Sequence, residues 1–219
     1  MFSQKSAQMN LLKKLFRIKI VPQETVVPDE LVKHYPDPPE KLQIILQRVP
    51  NTAKLLYQYN QANRHCNIST EWKYWAYDML ENGFETSGII RLAGEDLNMD
   101  PFAFDDLLAS IFGELDIDIK PELAYCAYAV SIAEEALRGE RTAKNGFEIL
   151  SQAAISTGYH EAFMVFYYQL DKADLAVWLK YTKGSGLRMD NVEEWMNQFF
   201  EKFVQANIKY SSIPTNTQG

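Results

Sequence analysis

The chain has 219 residues, 47% of them hydrophobic and 23% charged, a composition that supports a substantial core and excludes disorder across its body. Its formal net charge of −7 argues against nucleic acid as the partner, because such binding is driven chiefly by neutralising phosphates. No run approaches the ~18 consecutive apolar residues of a membrane span, and no apolar stretch with a small-residue cleavage site opens the sequence, so the cytoplasm is the expected compartment.

Residues 1–20 contain Lys5, Lys13, Lys14, Arg17 and Lys19 and no acid, while Met9, Leu12, Leu15 and Phe16 recur at helical spacing. This predicts a short basic amphipathic helix, docked on its own domain, in peripheral contact with an anionic membrane, or serving as a targeting peptide. Residues 21–40 carry Pro22, Pro28, Pro36, Pro38 and Pro39 and read as an extended linker into a helical domain over 41–210. Asp37 is placed to cap a helix from Pro38 through Leu46 that stops before Pro50, and Asn51 opens the next, with Leu55, Leu56 and Tyr59 on one face.

The clearest periodicity follows. Trp72, Trp75, Ala76, Met79 and Leu80 share one helical face, with Thr70 as N-cap, Gly83 as stop and both tryptophans as expected core anchors. Thr86 is placed to cap a short helix ending at Gly94. Asp100 and Pro101 begin another, whose face is Phe104, Leu107, Leu108, Ile111 and Phe112 and whose expected end is Gly113. In ELDIDIK the alternation of Ile117 and Ile119 is the one strand-like signal, too short to support a sheet. Pro121 then starts a helix ending at Gly139, and Thr142 caps one stopping near Gly158. The apolar run YHEAFMVFYYQL reads as a central helix, followed by a shorter one capped by Asp171. After the loop TKGSGLRM, Asp190 and Glu193 form a capping-box-like start to a last helix with Val192, Trp195, Met196, Phe199 and Phe203 on its face. The tail 211–219 is expected to be mobile. The predicted fold class is all-α, an irregular bundle of about eight to ten short helices.

Catalytic and metal constellations are largely missing. Asp96, Asn98 and Asp100 match the first half of a calcium loop, but Pro101 and Leu107 stand where Gly and a bidentate Glu belong. His34, His65 and His160 show no metal-ligand spacing, and Gly184-Ser185-Gly186 lacks the context of a nucleophile elbow or phosphate loop. Cys66 and Cys126 read as reduced thiols, Cys126 as a buried small hydrophobe. No catalytic residue, metal or cofactor is therefore expected.

Residues 95–118 are different in kind. They contain Glu95, Asp96, Asp100, Asp105, Asp106, Glu114, Asp116 and Asp118 without a Lys or Arg, a local charge of −8 that would attract a basic surface. Beyond an ordinary solubilising face, these eight acids are the candidate partner-binding residues. The stretch WKYWAYDMLENGFETSGIIRLAGEDLNMDPF, with AVSIAEEALRGERTAKNGFEIL after it, resembles small all-helical bacterial proteins of uncharacterised families, some similar to immunity components encoded beside polymorphic toxins. That resemblance implies a non-enzymatic intracellular inhibitor covering a basic site on a protein partner. The alternatives are a helical small-ligand-binding protein or enzyme with an aromatic pocket at Tyr159, His160, Phe163, Tyr167 and Trp178, and a membrane-peripheral adaptor held through residues 1–20.

Overall fold

The computed structural model describes residues 27–61, 69–96, 98–117, 120–179 and 191–212, and the side chains of 175–179 lie outside that description. The basic segment 1–20, Cys66, Asp118, the glycine-serine loop, Asp190 and the side chain of Trp178 thus fall outside the described residues. Within them the chain forms α1 (Glu40–Arg48), α2 (Thr52–Gln61), α3 (Thr70–Glu81), α4 (Ser87–Gly94), α5 (Pro101–Glu114), α6 (Pro121–Leu137), α7 (Ala143–Ser156), α8 (Glu161–Leu179) and α9 (Val192–Ala206), with 3-10 turns at Asp29–Leu31 and Ile208–Tyr210. The fold is all-α, and no strand occurs among the described residues.

Local chemistry sets most helix ends. Thr86 accepts the Ile89 amide at 3.3 Å, Asp100 the amides of Phe102 and Ala103 at 3.0 and 3.2 Å, and Thr142 the Asn145 amide at 3.1 Å, satisfying donors that each helix start leaves open. Gly83 and Gly139 take φ of 80° and 76° just past α3 and α6, a backbone region that side chains with a Cβ enter at a cost.

Several ends depart from expectation. Asp37 does not cap α1, which begins after Pro39; the Asp37 carboxylate pairs with Lys209 instead. Helix α5 runs through Gly113 to Glu114; Leu115 is buried just past its end, and Asp116, not a glycine, adopts the left-handed position at φ 55° so that Ile117 returns to the core. Asp171 does not start a new helix. It lies exposed within α8, whose buried face continues to Ala173. Nor is α8 the central helix, since Tyr168 is exposed on it. That place belongs to α6, which buries Ala124, Cys126, Ala127, Val130 and Ala133 and packs against α2, α7, α8 and α9. Its many alanines let neighbouring backbones approach closely from all sides, which a leucine-rich helix would not.

The described part of the proline-rich stretch, residues 27–39, is extended apart from one 3-10 turn, but it is no free spacer. It straps across α9 and the C-terminal turn. Val27 is fully buried, the Val27 carbonyl accepts from Lys202 Nζ at 2.7 Å, and Asn207 bonds both the Lys33 carbonyl at 3.0 Å and the Tyr35 amide at 2.9 Å. His34 Nδ1 meets the Ala206 carbonyl at 3.1 Å, and Tyr210 donates its hydroxyl to the Pro36 carbonyl.

Two carboxylates lock distant pieces together. Glu134 on α6 is only 1% exposed and accepts from both Ser211 and Ser212 side chains and from the Ser212 amide at 3.2 Å. The expected mobile tail is therefore fixed through Ser212, and residues 213–219 lie outside the described set. Glu193, expected to serve its own helix, instead accepts the Ala143 amide at 2.7 Å and caps α7 from outside.

Candidate functional site

Helices α3, α4 and α5 form a unit in which α4 packs against both neighbours. Its interior is built on aromatic rings. Trp72 and Trp75 meet edge to face at 5.6 Å, Trp75 Nε1 donates to Thr52 Oγ1 on α2 at 2.8 Å, and Tyr59 on α2 packs edge-on to Phe112 at 5.4 Å. Full burial of such rings contributes about 2–3 kcal/mol each, so this unit is firmly seated on the bundle. Close approach of α4 to α5 requires Gly88, where an added Cβ would stand 2.5 Å from Ile111 Cγ1.

The eight candidate acids fall into distinct roles on this unit. Asp100 is the α5 cap described above. Glu114 reaches across to the start of α4, accepting the Gly88 amide at 2.9 Å and the Ser87 hydroxyl at 2.7 Å; these bonds hold its pKa down to about 2. Glu95 pairs with Arg91 at 3.4 Å, and its carbonyl takes Lys73 Nζ at 3.1 Å. Asp96 accepts from the Asn98 side-chain amide at 3.2 Å. Asp105 is half-buried on α5, Asp106 is exposed beside it, Asp116 is exposed at the left-handed turn, and Asp118 lies outside the described residues.

Electrostatically the unit stands apart. Lys73 and Arg91 are the only cations from Thr70 to Ile117, against eleven acids. Both are committed at Glu95. A shallow groove of about 380 Å³ between α4 and α5 is lined by Arg91, Asp106, Ser110 and Glu114.

Sequence reasoning missed the exposed apolar side chains of this unit. Tyr74 and Tyr77 on α3, Ile90 on α4 and Phe102 on α5 are exposed, Tyr74 at 63% and Phe102 at 65%. The available signal was position: Tyr74 and Tyr77 sit off the α3 stripe that holds Trp72, Trp75 and Met79, where a purely solubilising helix would place charge.

The described residues of the alternative aromatic pocket, Tyr159, His160, Phe163 and Tyr167, are placed in different surroundings. Phe163 is fully buried between Tyr57, Tyr125 and Tyr128. Tyr159 is exposed at a positive φ of 63° and meets Tyr167 edge to face at 5.7 Å. His160 lines a different cleft, beneath the strap.

Among the described residues no three His, Cys, Asp or Glu are placed to hold a metal, and no helix is long and apolar enough to cross a membrane. Comparison of the chain with known family models, curated proteins and solved structures gives no match.

Proposed function

We propose that this chain is a non-enzymatic protein-binding domain whose α3–α5 surface receives a basic partner. One observation carries the reading. Exposed Tyr74, Tyr77, Ile90 and Phe102 belong to the same three-helix unit as an excess of acid, eleven Asp and Glu against two cations. Aromatic and aliphatic groups supply contact energy at a protein interface once dehydrated, while acids around them steer a basic surface into place and reject an acidic one. A phosphate backbone is repelled by the same field.

The finer reading is an immunity-type inhibitor that covers a basic site on a toxin. It rests on the surface chemistry, in the absence of a family match, and on the resemblance of residues 70–180 to such proteins. Capture from native lysate with the tagged chain tests the coarser reading. The expected result is one basic protein retained near equimolar amount by the wild type and lost with Tyr74→Ala/Ile90→Ala, each such anchor contributing more than about 1 kcal/mol. Equal retention by that variant would remove these side chains from the interface.

A further inference from the structure

The strap, the first turns of α6, the start of α8 and the C-terminal 3-10 turn enclose a cleft of about 500 Å³. Small-molecule sites commonly occupy roughly 300 to 1,000 Å³. Leu123, Pro36 and the rings of Tyr35 and Tyr210 give it apolar walls, and the buried Cys126 lies among them. Desolvation raises the Cys126 thiol and both phenols well above their ordinary values, so these groups are neutral at physiological pH. Their hydroxyl hydrogens are spent on backbone: Tyr35 donates to the Ala162 carbonyl at 2.6 Å and Tyr210 to the Pro36 carbonyl.

What remains uncommitted has one character. His160 Nδ1 accepts the Ala162 amide at 3.2 Å, so its neutral ring carries the proton on Nε2, which has no partner among the described residues. Lys33 gives one N–H to Glu161 at 2.9 Å and keeps two more. The acids of the lining are largely answered, Glu161 by Lys33 and Asp37 by Lys209, while Glu122 is exposed to solvent. The spare hydrogen-bonding capacity on the His160 side is therefore donor capacity next to apolar walls.

We propose that this cleft binds a small carboxylate with a ring-sized apolar body, its carboxylate held by His160 and Lys33 and its body between Tyr35, Tyr210 and Leu123. The site is separate from the α3–α5 surface. Neither depends on the other.

Isothermal titration of the full chain with phenylacetate, cinnamate and indole-3-propionate, each beside its neutral carboxamide, tests the assignment. At least one carboxylate is expected to bind about tenfold or more tightly than its amide, the advantage of a charge-assisted over a neutral hydrogen bond. His160→Ala and Lys33→Met should each reduce that preference, Leu123→Trp should fill the space and abolish binding, and Tyr74→Ala/Ile90→Ala should change nothing. The His160 and Lys33 variants carry the test if the Leu123 variant does not fold. Absence of binding by all three carboxylates up to about 10 mM, a dissociation constant worth less than ~3 kcal/mol, would overturn the proposal. So would equal affinity for acid and amide, or binding that survives both His160→Ala and Lys33→Met.

Discussion

The α3–α5 unit and the clasp formed by the strap, α9 and the C-terminal turn use carboxylates in opposite ways. In and against the clasp, three acids meet donors from distant parts of the chain. Asp29 pairs with Lys202, Asp37 with Lys209, and Glu134 gathers Ser211 and Ser212. On α3–α5 the acids outnumber local cations eleven to two; Asp100 and Glu114 cap helices and Glu71 pairs with Lys54 on α2, but most of the eleven are exposed at the surface. An acid whose partner is built into the fold is structural. One without such a partner stays available for a surface that the chain itself does not supply.

The contrast can be broken at its buried end first. Glu134→Ala is expected to destabilise the protein by about 3 kcal/mol, since several hydrogen bonds to a charged acceptor are lost and a cavity opens, each bond worth roughly 1.5–3 kcal/mol before relaxation. Chemical denaturation reads the change, and faster amide exchange at Ser212 would localise it. At Asp116 the sign reverses. The left-handed φ of 55° strains an aspartate but not a glycine, so Asp116→Gly is expected to raise stability by about 0.5–1 kcal/mol, measured as a higher denaturation midpoint.

The smallest effect is visible only through pH. The Glu114 pKa is depressed to about 2 by the Gly88 amide first, then by the Ser87 and other hydroxyls. A depressed carboxylate contributes stability that is present above its unfolded pKa, near 4.5, and lost as pH falls toward about 2. The difference in melting temperature between wild type and Glu114→Gln should therefore be largest at pH 6 and shrink steadily below pH 4. A constant difference across that range would mean that the Gly88 and Ser87 bonds do not depend on the charge.

The fold was legible wherever the determinants are local. Caps at Thr86, Asp100 and Thr142, glycines at 83 and 139, and the apolar stripes of α3, α5 and α9 all act within a few residues. What escaped is long-range. The strap read as a linker because proline forbids helix, yet proline says nothing about whether an extended segment is packed, and its partners are more than 170 residues away. Glu193 looked like half of a local capping box, but the helix start it serves is that of α7, fifty residues earlier. The interface residues were half legible. Charge density marked the acids, while the exposed aromatics could be separated from core aromatics only after the α3 stripe was placed.

The central claim is that the acids left over on α3–α5 recognise a basic protein. The direct measurement is capture from native lysate at low and moderate salt by wild type and by Asp96→Asn/Asp106→Asn/Asp116→Asn, three exposed positions that spare the Asp100 and Glu114 caps. The account predicts a melting temperature within the range of ordinary surface substitutions, ~0.5 kcal/mol each. It also predicts that the wild type retains a basic protein, weakly at moderate salt, and that the variant loses it. Retention that is indifferent to both salt and the three substitutions would contradict it.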